Sequence, residues 1–461
     1  MKGIASIDPR SDYLVPFPES AAKDSADIGD LFRAADDFGH IVGSRPLGMF
    51  SPPSMAALRE FVALAGPSGL PVTARGGGYS VYGQGQAEGG YVVDLSALNE
   101  VRCAPAARTV TAGAGARWSE VVRAALAEGL TPPVLPDHLG GSVGGLLSTG
   151  GLGGSSHLHG LVADHVRELD VVTGAGEEVT CSRERHPDLF DAVLAGLGQC
   201  ALIVRATLDL VPAPTLVRRF RLYHHTPGTY FADQRALARD DRFSHVSGQA
   251  RPALDGAWDY MIEAVAPHTA QLPCDDTLLT GGLEHDRDTE EIENLSYEEF
   301  LCRMDRDERI LRTTGEWQRP HPWLTLLLPE EAAAEFVPTV LADHAQSGLR
   351  ACGVVQLRPL TSQALRAPLL RRPPGELLCL LSLMRTAPPG APENVREAVA
   401  ANRALYERAR DLGGVLHPTS AVPMTSGDWR AHFGPAWETL ARAKHHYDPH
   451  SVLTRGYGLW P

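Results

Sequence analysis

Apolar residues recur at helical spacing across 53–66, at Met55, Leu58, Phe61, Val62 and Leu64, and this stripe predicts an amphipathic helix. Residues 118–128 repeat the pattern with Val121, Val122, Ala125 and Leu126 on one face. Residues 188–200 do so again through Leu189, Phe190, Val193, Leu194 and Leu197. Short strands are predicted at 71–74, 91–95 and 109–112. Two more, 168–173 and 178–181, flank Gly174-Ala175-Gly176, a hairpin signal. Residues 202–210 read as a strand that Pro212-Ala213-Pro214 stops.

Beyond Pro214 glycine clusters thin out and acidic and aromatic residues increase, which places a domain boundary there. The strongly acidic stretch 286–299 reads as an exposed helix face or loop. Residues 323–328 are a dense apolar strand candidate, and 330–345 and 392–410 read as helices.

At 461 residues the chain has room for two or three domains. Forty-two basic against 56 acidic residues give a net charge of −14, which disfavours nucleic acid or an anionic membrane as partner. No apolar run approaches the ~20 residues of a membrane span. The N-terminal stretch MKGIASIDPRSDYLVPFPES lacks the apolar region of a secretory signal. Seven scattered cysteines without a C-x-x-C argue against a disulfide scaffold or a zinc site, and a reducing cytoplasm is the expected compartment. His157 and His159 supply only two ligands at metal spacing, so no metal is predicted.

Two glycine-rich segments carry the chemistry: RGGGYSVYGQGQ at 75–86 and DHLGGSVGGLLSTGGLGGSS at 137–156. Runs of glycine expose backbone N–H groups and form concavities that hold anions, diphosphates above all. Ser80, Ser142, Ser148 and Thr149 add hydroxyl donors. Neither segment has the spacing of the dinucleotide-binding G-x-G-x-x-G or of the phosphate-binding loop that ends in Lys. Two such loops in one half of the chain point to a long, folded-over dinucleotide.

These segments, with GLTPPVLPDHLGGSVGG, ELDVVTGAGEEVTCS, RPHPWLTLLLP and YDPHSVLTRGYG, resemble the vanillyl-alcohol-oxidase superfamily of FAD-linked oxidoreductases, with bacterial cytokinin dehydrogenase-like proteins the nearest in pattern. The resemblance runs from about residue 70 to the C-terminus and is weak over the first 50 residues and much of 220–300. It implies an α+β fold of the PCMH type: an FAD-binding domain over 1–214, an antiparallel-sheet substrate cap over 215–421, and a tail, 422–461, that completes the first domain. It also implies FAD contacts at Arg75, Gly76, Gly77, Gly78, Tyr79, Ser80, Gln84, Asp137, Ser142, Gly144, Gly145, Ser148, Leu152, Ile203 and Tyr457. Asp137 falls where the family places its base, which takes a proton while hydride leaves the adjacent carbon for flavin N5. A carboxylate beside an apolar ring has its pKa raised, and that is the expectation here. Glu263, in an otherwise apolar run, is the second catalytic candidate, and Trp258, Tyr260 and Trp323 are the candidate substrate contacts.

Three departures bear on function. Tyr79 stands where the family has the histidine that bonds to the flavin, and a phenol of pKa ≈ 10 is a weaker nucleophile at neutral pH, so FAD is expected to be held non-covalently. Arg455-Gly456-Tyr457 replaces the usual P-G-Q, and Ala421-Val422-Pro423 replaces a bulkier wall, so the pocket is reshaped. The leading expectation is an FAD-dependent oxidase or dehydrogenase of bacterial secondary metabolism. It would act on a C–H/N–H or C–H/O–H bond of an apolar small molecule, with oxygen or a quinone as acceptor. The alternative keeps FAD on the same fold but performs a non-redox ring closure in natural-product biosynthesis.

Overall fold

In a computed structural model, residues 28–253, 257–269, 274–344, 353–388 and 390–460 are described. The N-terminal stretch read for a leader, and Cys352, lie outside them. The fold is α+β. Strands β1 (Gly48–Phe50), β2 (Val72–Arg75) and β3 (Tyr91–Asp94) form a parallel sheet of order β1-β3-β2. Strands β4 (Val101–Ala104), β5 (Thr109–Gly113), β7 (Val166–Thr173), β8 (Glu178–Ser182) and β9 (Ala201–Asp209) form an antiparallel sheet of order β4-β5-β9-β7-β8. Strand β6 (Leu130–Thr131) pairs with β10 (Val211–Pro212).

An eight-stranded antiparallel sheet begins at Leu216. Its order is β14-β11-β13-β12-β16-β17-β15-β18. The strands are β11 (Leu216–His224), β12 (His245–Pro252), β13 (Trp258–His268), β14 (Asp286–Ser296), β15 (Leu324–Pro329), β16 (Val354–Thr361), β17 (Leu377–Met384) and β18 (Val415–Leu416). The period-2 alternation of its strands divides two cores. Tyr260, Ile262 and Ala264 pack with residues of helices Pro227–Arg239 and Glu330–His344, while Val265, Leu327 and Leu360 belong to the core of the first domain.

Two sequence expectations fail, each for a tertiary reason. The helix predicted over 188–200 stops at Val193. Beyond it the Ala195 and Leu197 N–H groups donate to the carbonyls of Leu147 and Ser148, at 2.9 Å each. Bonds to the second glycine segment thus replace the helical ones. The acidic stretch 286–299 is largely the edge strand β14, because β11 offers an arginine opposite each of two acids: Arg219 faces Glu293 and Arg221 faces Glu291. Opposite charges directly across a ladder favour strand pairing. Among the described residues no helix is long and apolar enough to cross a membrane.

The tail returns to the first domain. Val72 donates to the Val452 carbonyl and accepts from the Thr454 N–H, both at 2.9 Å. Lys444, 2% exposed, donates to Asp448 at 2.6 Å and to the carbonyls of Gln199 and Leu453 at 2.9 and 3.2 Å. Asp448 in turn accepts the N–H groups of Val452 and Leu453. A buried ion pair with every partner in place is stable, whereas half of one is not. Lys444→Met is therefore expected to lower unfolding free energy by about 3–5 kcal/mol in a denaturant titration, with Lys444→Met/Asp448→Leu recovering part of the loss.

Candidate active site

The two glycine segments meet. A cavity of about 260 Å³ is walled by Gly76, Gly77 and Gly78 on one side and by Ser142, Gly144 and Gly145 on the other. A Cβ built on Gly76 would lie 2.0 Å from Ser142 Oγ, and one on Gly144 would lie 2.8 Å from Ala114 Cβ. Glycine at 76 is thus a condition of the two segments' approach, and glycine at 144 of the second segment's seat against Ala114. The first segment is tied down from behind. Asp37, buried, accepts the N–H groups of Gly39 and Gly83 at 3.1 and 2.7 Å. Burial pushes its carboxyl up to about 6 against the pull of those bonds. Arg75 donates to the Asp36 carbonyl at 2.5 Å, and its guanidinium borders the cavity.

In the second segment, Ser142 caps helix Val143–Thr149 and Ser148 donates to the Gly144 carbonyl at 2.8 Å. Tyr79, Ser80, Gln84, Ser148, Ile203 and Tyr457 also line the cavity. Gln84 holds its wall together: it accepts from Tyr82 N–H and donates to the Ser420 carbonyl at 3.2 Å. Among the wall residues that sequence reasoning missed are Leu197, Gly198, Thr419 and Thr454. Leu152 packs against the hydrophobic core and is not part of the wall.

Tyr79 sits in an aromatic cluster. Its ring lies 5.0 Å from His138, 5.8 Å from Phe38 and 6.4 Å from Trp317, and Phe38 stacks on His321 at 4.0 Å. Trp323 joins this cluster at its edge, 5.2 Å from Phe38. His138 pairs with Glu308 at 2.9 Å. Burial raises the Tyr79 phenol above its ordinary value, with Glu308 adding to the rise, so little phenolate is available as a nucleophile.

Asp137 is not in the wall of the glycine cavity, contrary to the expected FAD contact; it lines a separate cavity of about 170 Å³ with His245, Phe300 and Arg303. Its carboxylate accepts from Arg303 at 2.6 Å, from Gln356 at 3.1 Å and, in a short contact, from Arg358. Burial alone would raise its pKa. The Arg358 and Arg303 guanidiniums outweigh burial and hold the carboxyl well below the usual carboxylate range. The expectation of a raised pKa is overturned by two arginines that sequence reasoning did not place. Glu263 belongs to the same network, with Arg303 Nε at 3.2 Å and Arg219 at 3.6 Å. Burial and Arg303 keep His245 well below its ordinary value. Trp258 and Tyr260 are corrected as substrate contacts. They occupy the alternate face of β13 from Glu263, where Tyr260 packs 5.2 Å from Tyr230 in the core of the cap.

The glycine cavity fits a flavin dinucleotide. Its glycine rims leave backbone open where side chains would close it, the half-buried Arg75 borders one wall, and Ile203, Leu202 and Tyr457 offer apolar surface. Comparison with known proteins agrees. The family described as FAD binding domain matches residues 46–182, and the family described as cytokinin dehydrogenase 1, FAD and cytokinin binding, matches 205–460. An uncharacterised oxidoreductase, ORF5 of the fasciation locus of Rhodococcoides fascians, is 39% identical over 93% of this chain and 97% of its own length. Cytokinin dehydrogenase 6 of Oryza sativa subsp. japonica is 33% identical over 95% of this chain and 92% of its own. The crystal structure of 6-hydroxy-D-nicotine oxidase from Arthrobacter nicotinovorans shares the fold, with a TM-score of 0.69 at 22% identity, covering 92% of this chain and 94% of that one.

With Tyr79 at the histidine position, acid denaturation is expected to leave FAD free in the supernatant and the polypeptide at unmodified mass. Flavin that stays with the chain in mass spectrometry would refute this. The fold, the glycine cavity and the sequence matches lead to one conclusion: the chain belongs to the cytokinin dehydrogenase family of FAD-dependent oxidoreductases.

Proposed function

We propose that the protein oxidises a C–H bond next to an N–H or O–H in a small molecule with an apolar body. The observation that carries this reading is the placement of Asp137 at the head of the second glycine segment, which walls the FAD cavity. FAD, when bound, supplies the hydride acceptor. The protein's own residues do the rest. The ionised Asp137 accepts a hydrogen bond from the substrate N–H or O–H. So strongly stabilised a carboxylate is a weak base toward a neutral amine. It becomes an adequate one as hydride departure leaves positive charge on the nitrogen and makes that N–H acidic. Arg303, Arg358 and Gln356 fix the carboxylate's orientation, and the Tyr79–Trp317 cluster keeps water from the cavity's edge. We assign 1–214 and 422–461 to the cofactor domain and 215–421 to the cap that faces it.

The test is anaerobic mixing of the yellow protein with a cytokinin and with a panel of secondary amines and alcohols. A substrate bleaches the flavin absorbance. Asp137→Asn is expected to keep FAD and to slow bleaching by about 10²–10⁴-fold; an unchanged rate removes Asp137 from the reaction. A lowered pKa leaves the charge present above it, so the wild-type rate should not fall as pH drops through the ordinary carboxylate range near 4. A product of unchanged mass, formed without bleaching, would favour the ring-closure alternative instead.

A further inference from the structure

The turn at 417–420 follows strand β18 and reaches the wall of the FAD cavity through Thr419. Its backbone is held from both domains. The His417 N–H donates to the Thr325 carbonyl at 2.9 Å. Ser420 Oγ accepts the Thr325 N–H at 2.8 Å and lies 2.8 Å from the His417 carbonyl. Gln84, from the first glycine segment, brings its Nε2 within 3.5 and 3.2 Å of the Pro418 and Ser420 carbonyls, one on each side of Thr419.

The Thr419 hydroxyl has one partner among the described residues, His417 Nδ1 at 2.8 Å. What that bond leaves over depends on which ring nitrogen carries the hydrogen. His417 is only 6% exposed. Burial pushes its pKa down to about 4, so the ring is neutral at pH 7 and has a single N–H. Its Nε2 is buried and has no partner. A hydrogen on Nε2 would strand a donor and oblige the Thr419 hydroxyl to donate to Nδ1. A hydrogen on Nδ1 strands only a lone pair, and orphaned buried donors are the rarer of the two. Nδ1–H then donates to Thr419 Oγ1. The hydroxyl keeps its own hydrogen, with no acceptor on the protein, on a side chain that borders the cofactor cavity.

The acceptor is then sought on the cofactor. Arg75 and the backbone N–H groups of the glycine rims are the donors suited to a diphosphate. A neutral hydroxyl from the edge of the eight-stranded sheet suits a neutral acceptor whose charge grows during reduction. We propose that Thr419, aligned by His417, donates a hydrogen bond to an oxygen or nitrogen of the flavin ring and so raises the flavin's reduction potential. Reduction adds electron density to those ring atoms, and a donor fixed against them stabilises the reduced form more than the oxidised one. Thr419 touches the cofactor, whereas His417 is a positioning residue that acts through it. The proposal requires FAD in the glycine cavity and is independent of the role given to Asp137.

The test is the midpoint potential of the bound flavin, from an anaerobic reductive titration against a reference dye with no substrate present. Thr419→Val keeps the shape and loses the hydroxyl. It is expected to shift the two-electron equilibrium about tenfold or more toward the oxidised flavin, in line with one hydrogen bond to a charged group, which is about 30 mV or more in the negative direction. Thr419→Ser should stay with the wild type. His417→Leu should move in the direction of Thr419→Val. His417→Asn, whose amide offers an N–H where Nδ1 stands, should recover the wild-type value. An unchanged potential in Thr419→Val, or a Thr419→Ser variant that follows it, overturns the proposal. So does weaker FAD binding at unchanged potential, which would put the hydroxyl on the ribityl chain or the diphosphate. If the valine variant loses its flavin, the His417 pair carries the test, and equal potentials for His417→Leu and His417→Asn overturn it. The alignment has a readout of its own: nitrogen NMR of the holoenzyme with labelled histidine, assigned by the signal missing in His417→Asn, should show the hydrogen on Nδ1, and a hydrogen on Nε2 refutes it.

Discussion

Two lengths of chain, 76–78 and 141–145, pass so close that one methyl group on Gly76 would collide with the Ser142 side chain. Most of the site follows from that approach. It opens a groove with glycine main chain on two of its sides. It draws residues 195–198 out of their helix, because the Leu147 and Ser148 carbonyls take the N–H bonds that a further helical turn would have used. It also leaves Asp137, which immediately precedes the second length, at the seam with the cap, where arginines from two different segments reach it.

That seam mixes rigidity with charge. The eight-stranded sheet brings Gln356 and Arg358 to one face at alternate positions of β16, and Arg303 arrives from the segment after helix Tyr297–Leu301. Their convergence turns a titratable carboxylate into a fixed negative charge. On the proposed reading, a base that stays ionised would not gate the reaction by its own titration, and control would pass to the acidity of the bound substrate. This differs in kind from a lone carboxylate in an apolar pocket, whose pKa would sit near working pH.

The glycine segments and the 168–182 hairpin were legible in the sequence, because each depends on local composition. The partners of Asp137 were not. Arg303 and Arg358 are more than 160 residues away in sequence, and nothing local announces where they point. A signal did exist: Gln356 and Arg358 are two polar residues spaced by two within the apolar run Val354–Pro359, the mark of one strand face turned toward something charged. Trp258 and Tyr260 misled for the converse reason. Large aromatics suit both a pocket and a core, and only the pleat of β13 decides which face each takes. The acidic run 286–299 looked like loop because its counter-charges lie on β11, about 70 residues earlier.

The return of the tail has a consequence for cofactor retention. Thr454 and Tyr457 form part of the cavity wall, and Lys444 and Asp448 anchor the segment that delivers them. Without them the groove between the glycine segments would lack part of one wall. A chain lacking residues 444–457 is therefore expected to lose one side of that wall and to hold FAD poorly even if both sheets are intact.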